Sequence, residues 1–401
     1  MRVHYTRPMQ RGKSTNENRS LNVIRSASAL LVVLGHVRLL FFQNYPDAPH
    51  NPLNAFLYAT TSLGSEAVIV FFVLSGYFVG GSVIFKQSRG IFAWPEYASA
   101  RVTRLALVLV PALALTFAAD RIGAALRPTA EIYTRPDLYG GMQSDPSHSW
   151  VTLIGNLGFV QGLYVQPFGT NNPLWSLAFE FWYYLMFPAL LLAIRSGTWK
   201  SRALNGLVLV VGAVISGPTI LVLFPAWIVG AIVGGNRAAI SAWIIRIGST
   251  RTGFLRVVAI VLTLGVMVVA RESNLPPTIG FLSVAIVAAV LVSSFVTDVN
   301  WVGLPGRILS GLSWSAHFSY SFYAIHMPLV VLLCAFVIPN NEDRWQMSPA
   351  SIAAALLIIA MIGFIAWGFA ALTEARTDQV RSWVRKSLLT REKASRQDAA
   401  L

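Results

Sequence analysis

The sequence predicts an all-α protein: a polytopic membrane bundle of about ten transmembrane helices with both termini in the cytoplasm. Three observations predict it. The 401 residues are 55% hydrophobic and only 12% charged, whereas a soluble globular domain carries about 25% charged residues. The apolar residues fall in long runs, such as 257–270, 279–296 and 352–371. With their flanks, several approach the roughly 20 residues needed to cross the hydrocarbon core. The net charge of +14 gathers beside these runs, which is the positive-inside pattern of cytoplasmic loops. That distribution argues against a nucleic-acid partner, the usual reading of a basic chain, and for membrane lipid.

The elements follow from the loop charges in order. Residues 1–21, with Arg2, Arg7, Arg11, Lys13 and Arg19, form a basic cytoplasmic segment. The first span covers about 22–42. It contains His36 and Arg38 and no small-residue cleavage site follows it, so it is a retained span and not a signal peptide. The next loop, 43–64, has no Lys or Arg and belongs outside. The second span, 65–85, returns to a loop holding Lys86, Arg89, Arg101 and Arg104. The third span is 103–119. A long outer segment follows, of which 153–165 dips into the interface. The fourth span, 173–194, ends at Arg195, Lys200 and Arg202.

The stretch 203–235 is long for one span and short for two. Gly217-Pro218 breaks it in the middle. A single span there would put the basic tail, Arg376 to Arg396, outside, so two short spans are expected. The last four spans fall near 253–270, 277–297, 318–338 and 349–373. On this topology all basic residues are at the cytoplasmic side except six: Arg38, Arg121, Arg127, Arg135, Arg271 and Arg344. Residues 22–374 then form one transmembrane domain, and 375–401 a basic surface tail. The single cysteine, Cys334, lies in an apolar run and is read as packing.

Ionisable groups inside spans cost roughly 2.5–3.5 kcal/mol each on insertion scales and are functional candidates. Here they are Arg25, His36, Glu66, Glu180 and His326, with His317 at an edge. Arg25 and His36 are eleven residues apart, which makes about 1100°, roughly 20° past three turns, and about 16 Å of rise. Both project from one face. An anionic ligand held by Arg25 can run along that face to His36, whose neutral imidazole suits general-base work. The competing reading is an Arg25 that snorkels to lipid phosphate and a His36 that satisfies a neighbouring helix.

In the fourth span Ser176 and Glu180 are four residues apart and share a face. The aromatic run from Trp175 to Tyr184 reads either as an interfacial belt or as a platform for sugar rings. In the second span, Ser75 and Gly76 are small and allow close helix packing, and Glu66 reads as a solvated or capping group. In the ninth span Pro328 kinks the helix just beyond His326. His326 either donates to a carbonyl freed there or lines the cavity.

Five segments together resemble the bacterial membrane acyltransferase-3 family, O-acyltransferases of cell-surface sugars. They are Arg25 with His36; Phe71-Phe72-Val73-Leu74-Ser75-Gly76-Tyr77; Arg101-Val102-Thr103-Arg104; Trp175-Ser176-Leu177-Ala178-Phe179-Glu180; and Ser319-Tyr320-Ser321-Phe322-Tyr323 with His326 and Pro328. Three positions depart from the family pattern. Leu107 stands where a proline is frequent, Glu374-Ala375-Arg376 replaces a Glu-x-Pro, and Ile69 replaces an acidic or amide residue. These departures weaken any role for Glu66 or Glu374.

The resemblance implies an acyl-CoA donor, acetyl-CoA above all, on the cytoplasmic side, with no bound cofactor and no metal. It implies His36 and Glu180 as catalytic residues and Arg25, Arg101 and Arg104 at the CoA phosphates. Ser75, Trp175, Ser176, Tyr320, Tyr323 and His326 are implied for substrate, a carbohydrate or glycolipid hydroxyl of the envelope. The location expected is the inner membrane. The rival class is a transporter or flippase of acyl or glycolipid substrates, marked by inverted repeats and broken helices.

Overall fold

A computed structural model describes residues 17–140, 142–143, 145–297, 311 and 313–383. The expectations for residues 1–16, and for the tail beyond Trp383, lie outside the described residues. Among the described residues there are helices and isolated bridges but no strand. Nine of the helical segments among the described residues are long and apolar enough to cross a membrane, or ten if one bent pair counts as a span.

The first span is α1, Glu17–Phe41. A short helix, α2 (Pro52–Thr61), is capped by Asn51, whose side chain accepts from Asn54 N–H. The second span is built of α3 (Gly64–Ser75), a π turn over Gly76–Gly80, and α4 (Gly81–Ser88). Buried Glu66 stands in the first turn of α3, where a carboxylate complements the helix dipole. The third span, α5, runs Trp94–Leu126. It starts well before the expected 103, because Trp94-Pro95 already opens the helix. Arg101 and Arg104 therefore lie inside a helix and not in the loop expected for them.

The outer segment carries a one-turn helix, α6 (Glu131–Thr134), and α7 (Trp150–Leu157). The latter exposes Trp150, Val151 and Ile154, as an interfacial helix does. The fourth span is α8, Trp175–Arg195.

The stretch 203–235 breaks at Gly217, where expected, and a second time just after Leu221. Helix α9, Trp199–Leu221, is full length and bends at Gly217 (φ 63°, ψ 179°), a conformation glycine adopts freely. Only α10, Phe224–Gly235, is short, and it is bent by 67° from α11, Arg237–Ile247. The remaining helices are α12 (Ser249–Glu272), α13 (Pro277–Ser294), α14 (Ser319–Val337) and α15 (Pro349–Leu372).

Helix α1 packs between α3 and α14, and α14 also packs on α5. The π turn lies against α10 at backbone contact. A Cβ on Gly76 would meet Trp227 O at 2.0 Å, and one on Gly230 would meet Val73 O at 2.0 Å. Small residues let helices approach this closely in lipid. The approach brings the Trp227 indole N–H to Ser75 Oγ at 3.2 Å.

Two prolines free carbonyls inside α8 and α14, and side chains from elsewhere satisfy both. Pro188 cannot donate to Tyr184 O, which accepts instead from the Tyr97 hydroxyl at 3.0 Å. Pro328 cannot donate to Ala324 O, which accepts from Asn171 Nδ2 at 2.9 Å. An unpaired carbonyl in hydrocarbon costs several kcal/mol, so these two bonds fix how α5, α8 and α14 meet.

Candidate active site

A cavity of about 420 Å³ opens at one end of the bundle. Arg25, Ser75, Arg101, Arg104, Ser176, Glu180, Tyr184, Tyr320 and Tyr323 are among the residues that line it. The structure thus gathers eight of the eleven expected residues from α1, α3, α5, α8 and α14, all but His36, Trp175 and His326. Arg25 donates from Nη2 to Ala316 O, while its Nε is buried without a partner. Arg101 stacks over Tyr97 and Tyr184, and Arg104 over Tyr320. Glu180 accepts from Ser75 Oγ at 2.8 Å and from the Tyr184 hydroxyl. Its charge acts on both Arg25 and Arg104. Arginine forks suit phosphate better than lysine would, and three of them face this cavity.

Glu374 joins the same group. Its Oε2 accepts from Ser321 N–H at 3.1 Å and Ser321 Oγ at 2.7 Å, and its charge also reaches Arg25 and Arg104. The missing proline after Glu374 had set this residue aside. Its partner is 53 positions earlier in the chain, and no local spacing announces it. Tyr184 is a second omission, although it stands one turn beyond Glu180.

The histidines lie deeper. The Tyr323 ring lines the cavity and lies 5.7 Å from His326, and Phe71 packs on Tyr323 at 5.9 Å. The Tyr323 hydroxyl donates to Pro173 O at 3.0 Å and pairs with Ser176 Oγ at 2.7 Å. Beyond this layer His326 Nε2 lies 3.1 Å from His36 Nδ1. Arg25 and His36 do share a face of α1, since one reaches Ala316 and the other His326 along the same stretch of chain.

The neighbouring carbonyls assign the tautomers. His326 Nδ1 is 2.6 Å from Tyr323 O, and His36 Nδ1 is 3.0 Å from Val32 O. A carbonyl only accepts, so both Nδ1 atoms carry hydrogen. His326 Nε2 then holds a lone pair and accepts from His36 Nδ1–H. Among the described residues His36 Nε2 has no hydrogen-bond partner and is left as the basic nitrogen. His36 keeps partial exposure, whereas His326 is fully buried.

Three expected positions sit differently from their assigned parts. Glu180 bonds Ser75 and Tyr184 and stands with the arginines, not beside His36. Trp175 does not line the cavity but packs edge-on against Phe72 and Phe179. His326 does not line it either: its Nδ1 bonds Tyr323 O, because Asn171 has already taken the carbonyl freed by Pro328.

The profile of the acyltransferase-3 family, an acyltransferase domain, matches residues 18–370. The chain is similar to the acyltransferase MdmB of Streptomyces mycarofaciens, with 26% identity over 375 residues, covering 87% of this chain and 88% of that protein. No solved structure matches the chain. With five motifs assembled around one cavity and its histidine pair, and the family profile running through all of them, the chain belongs to the acyltransferase-3 family and is a multi-pass membrane O-acyltransferase.

Proposed function

We propose that the protein moves an acyl group, acetyl in the first instance, from acyl-CoA to a hydroxyl of a cell-envelope carbohydrate or glycolipid. The observation that carries this reading is the free Nε2 of His36, exposed by a tautomer chain that ends on the Tyr323 carbonyl. The acceptor hydroxyl gives its proton to His36 Nε2 as its oxygen attacks the thioester carbon. The carbon–sulfur bond breaks, the ester forms, and the proton passes to the departing CoA thiolate. As His36 becomes cationic, its Nδ1–H bond to His326 becomes charge-assisted and strengthens.

CoA phosphates bind Arg25, Arg101 and Arg104, and the thioester arm runs along α1 towards His36. Glu180 and Glu374 spread these like charges apart and set the shape of the donor cavity. The Tyr323–Phe71 layer moves aside to admit the acyl end, and Ser75, Ser176 and Tyr320 line its path. No observation favours the transporter reading over this one.

The donor cavity faces the cytoplasm in this proposal. Gln87 Nε2 reaches Arg195 O at 3.5 Å, and Arg381 pairs with Glu96 at 3.6 Å. Basic residues after the second and fourth spans and after α15 therefore meet at one end, as a cytoplasmic face of the inner membrane requires. Both termini then lie inside, and residues 22–374 act as one catalytic domain with basic segments 1–21 and 375–401 flanking it.

Mass spectrometry of envelope glycans, with the gene deleted, restored, or restored as His36→Ala, tests the proposal. An acyl mass that disappears on deletion and returns only with the wild-type chain is expected. Full acylation by a membrane-inserted His36→Ala protein would refute it.

A further inference from the structure

The end of the bundle away from the donor cavity holds cations that the acyl-transfer reading does not use. Arg38 stands two residues beyond His36, half-buried, with its guanidinium 5.4 Å from the Tyr58 ring. Its Nε is buried without a partner. Arg344 is 6% exposed and donates to neutral oxygens only: Asn341 O at 3.3 Å, Leu39 O at 3.4 Å and Asn44 Oδ1 at 3.3 Å. The Tyr58 hydroxyl bonds Gln43 O at 2.7 Å. Arg344 therefore ties Leu39 to Asn44 at the end of α1, and its charge acts on Arg38. The charges that act on Arg38 beyond Tyr58 are those of Arg271 and Arg344.

Among the described residues no carboxylate is within ion-pair distance of Arg38 or Arg344. Asp343 is taken up by Asn340, and the charge of Asp47 acts on Tyr58. The Tyr139 hydroxyl, 1% exposed and without a partner, belongs to a ring 6.0 Å from Arg344. Burial raises its pKa, so it stays a neutral donor. Partly buried cations held on neutral oxygens leave an electrostatic deficit that an anion removes.

We propose that Arg38 and Arg344, with the Tyr139 hydroxyl, form a phosphate-binding site beside His36, through which the second substrate is held while its hydroxyl reaches the base. This deepens the acyl-transfer reading and rests on it only for the identity of that substrate. The phosphate comes either from a phosphorylated acceptor or from a lipid headgroup, and both present the same oxyanion to the arginine forks.

The probe is inorganic pyrophosphate, titrated onto the full-length protein in phosphatidylcholine nanodiscs by equilibrium binding. The measurements use the Arg25→Gln/Arg101→Gln/Arg104→Gln background, so that the donor cavity does not take up the probe. Pyrophosphate binds this background, and adding Arg38→Gln weakens it at least about tenfold, the loss of one charge-assisted bond. Arg38→Lys recovers part of the affinity. Because Arg344 also ties down three oxygens, Arg38, whose side chain makes only a ring contact among the described residues, carries the test.

Equal affinity with and without Arg38, or no binding to the background, overturns the proposal. Phosphatidylglycerol in the nanodisc separates the sources. Competition with pyrophosphate that depends on Arg38 assigns the site to a headgroup, and its absence assigns it to a phosphorylated acceptor. Turnover is not needed for the measurement, so loss of the site and loss of the His36 mechanism are read independently.

Discussion

His326→Ala is the substitution whose effect follows most directly from geometry. His326 does not line the cavity, so in the proposed mechanism it works through His36. In the ground state the pair shares one neutral hydrogen bond of 3.1 Å. In the proposed transition state His36 carries the acceptor's proton, and the same bond has a charged donor. Hydrogen bonds to charged groups contribute about 1.5–3 kcal/mol. The Val32 carbonyl, 3.0 Å from the same nitrogen, still accepts when His326 is gone, which puts the loss in the lower part of that range. At 1.36 kcal/mol per decade, kcat falls about 10- to 50-fold.

His36→Ala removes the base itself and costs about 10²- to 10⁴-fold. The assay is acyl transfer by purified protein in nanodiscs, with acetyl-CoA affinity measured on the same samples to show that the donor cavity is intact. The KM for acetyl-CoA stays level, because the arginines are on the other side of the Tyr323–Phe71 layer. A kcat for His326→Ala within twofold of wild type, beside an inactive His36→Ala, would refute the relay. So would a loss that appears in donor KM alone.

Three further outcomes are expected. Arg25→Gln or Arg104→Gln raises the KM for acyl-CoA by about 10-fold or more, one charged contact each, and leaves the acceptor KM unchanged; kinetics with each substrate varied in turn check this. Gly230→Ala places a methyl 2.0 Å from Val73 O, and separating α10 from α3 costs about 1–3 kcal/mol, seen as a lower melting temperature in detergent and in lower kcat through displaced Ser75. Asn171→Ala leaves the Ala324 carbonyl unpaired in a fully buried place, at about 1–3 kcal/mol, so thermal stability drops while Asn171→Asp, which keeps an acceptor but no donor, does not restore it.

Particular residues show how far reading the chain reaches. Arg25 and His36 follow from helix phase, because 100° per residue holds along a straight helix. Their common use of the 316–326 stretch is the three-dimensional form of that phase. Phase alone does not say which helix they face, and the histidine pair is 290 positions apart in sequence. Glu374 and Ser321 are likewise joined only by the packing of α5, α14 and the turn after α15. Glu180 shares a helix face with Ser176, as its spacing requires, yet the two meet different partners because the π turn thrusts Ser75 between α8 and α10.

The composition, the length of the apolar runs and the placement of basic residues determined by themselves that this chain is a helical membrane bundle. The ordered motifs determined its family. Both rest on local rules: hydrocarbon selects apolar helices, and spacing selects faces. Tertiary structure alone decided that the arginines and carboxylates make one cavity while the histidines pair behind it. It also decided that Asn171 and Tyr97 repair what two prolines break. Those outcomes depend on which helices touch, and contact in a bundle is set by glycine-to-backbone approach and by the demand of every buried carbonyl for a donor.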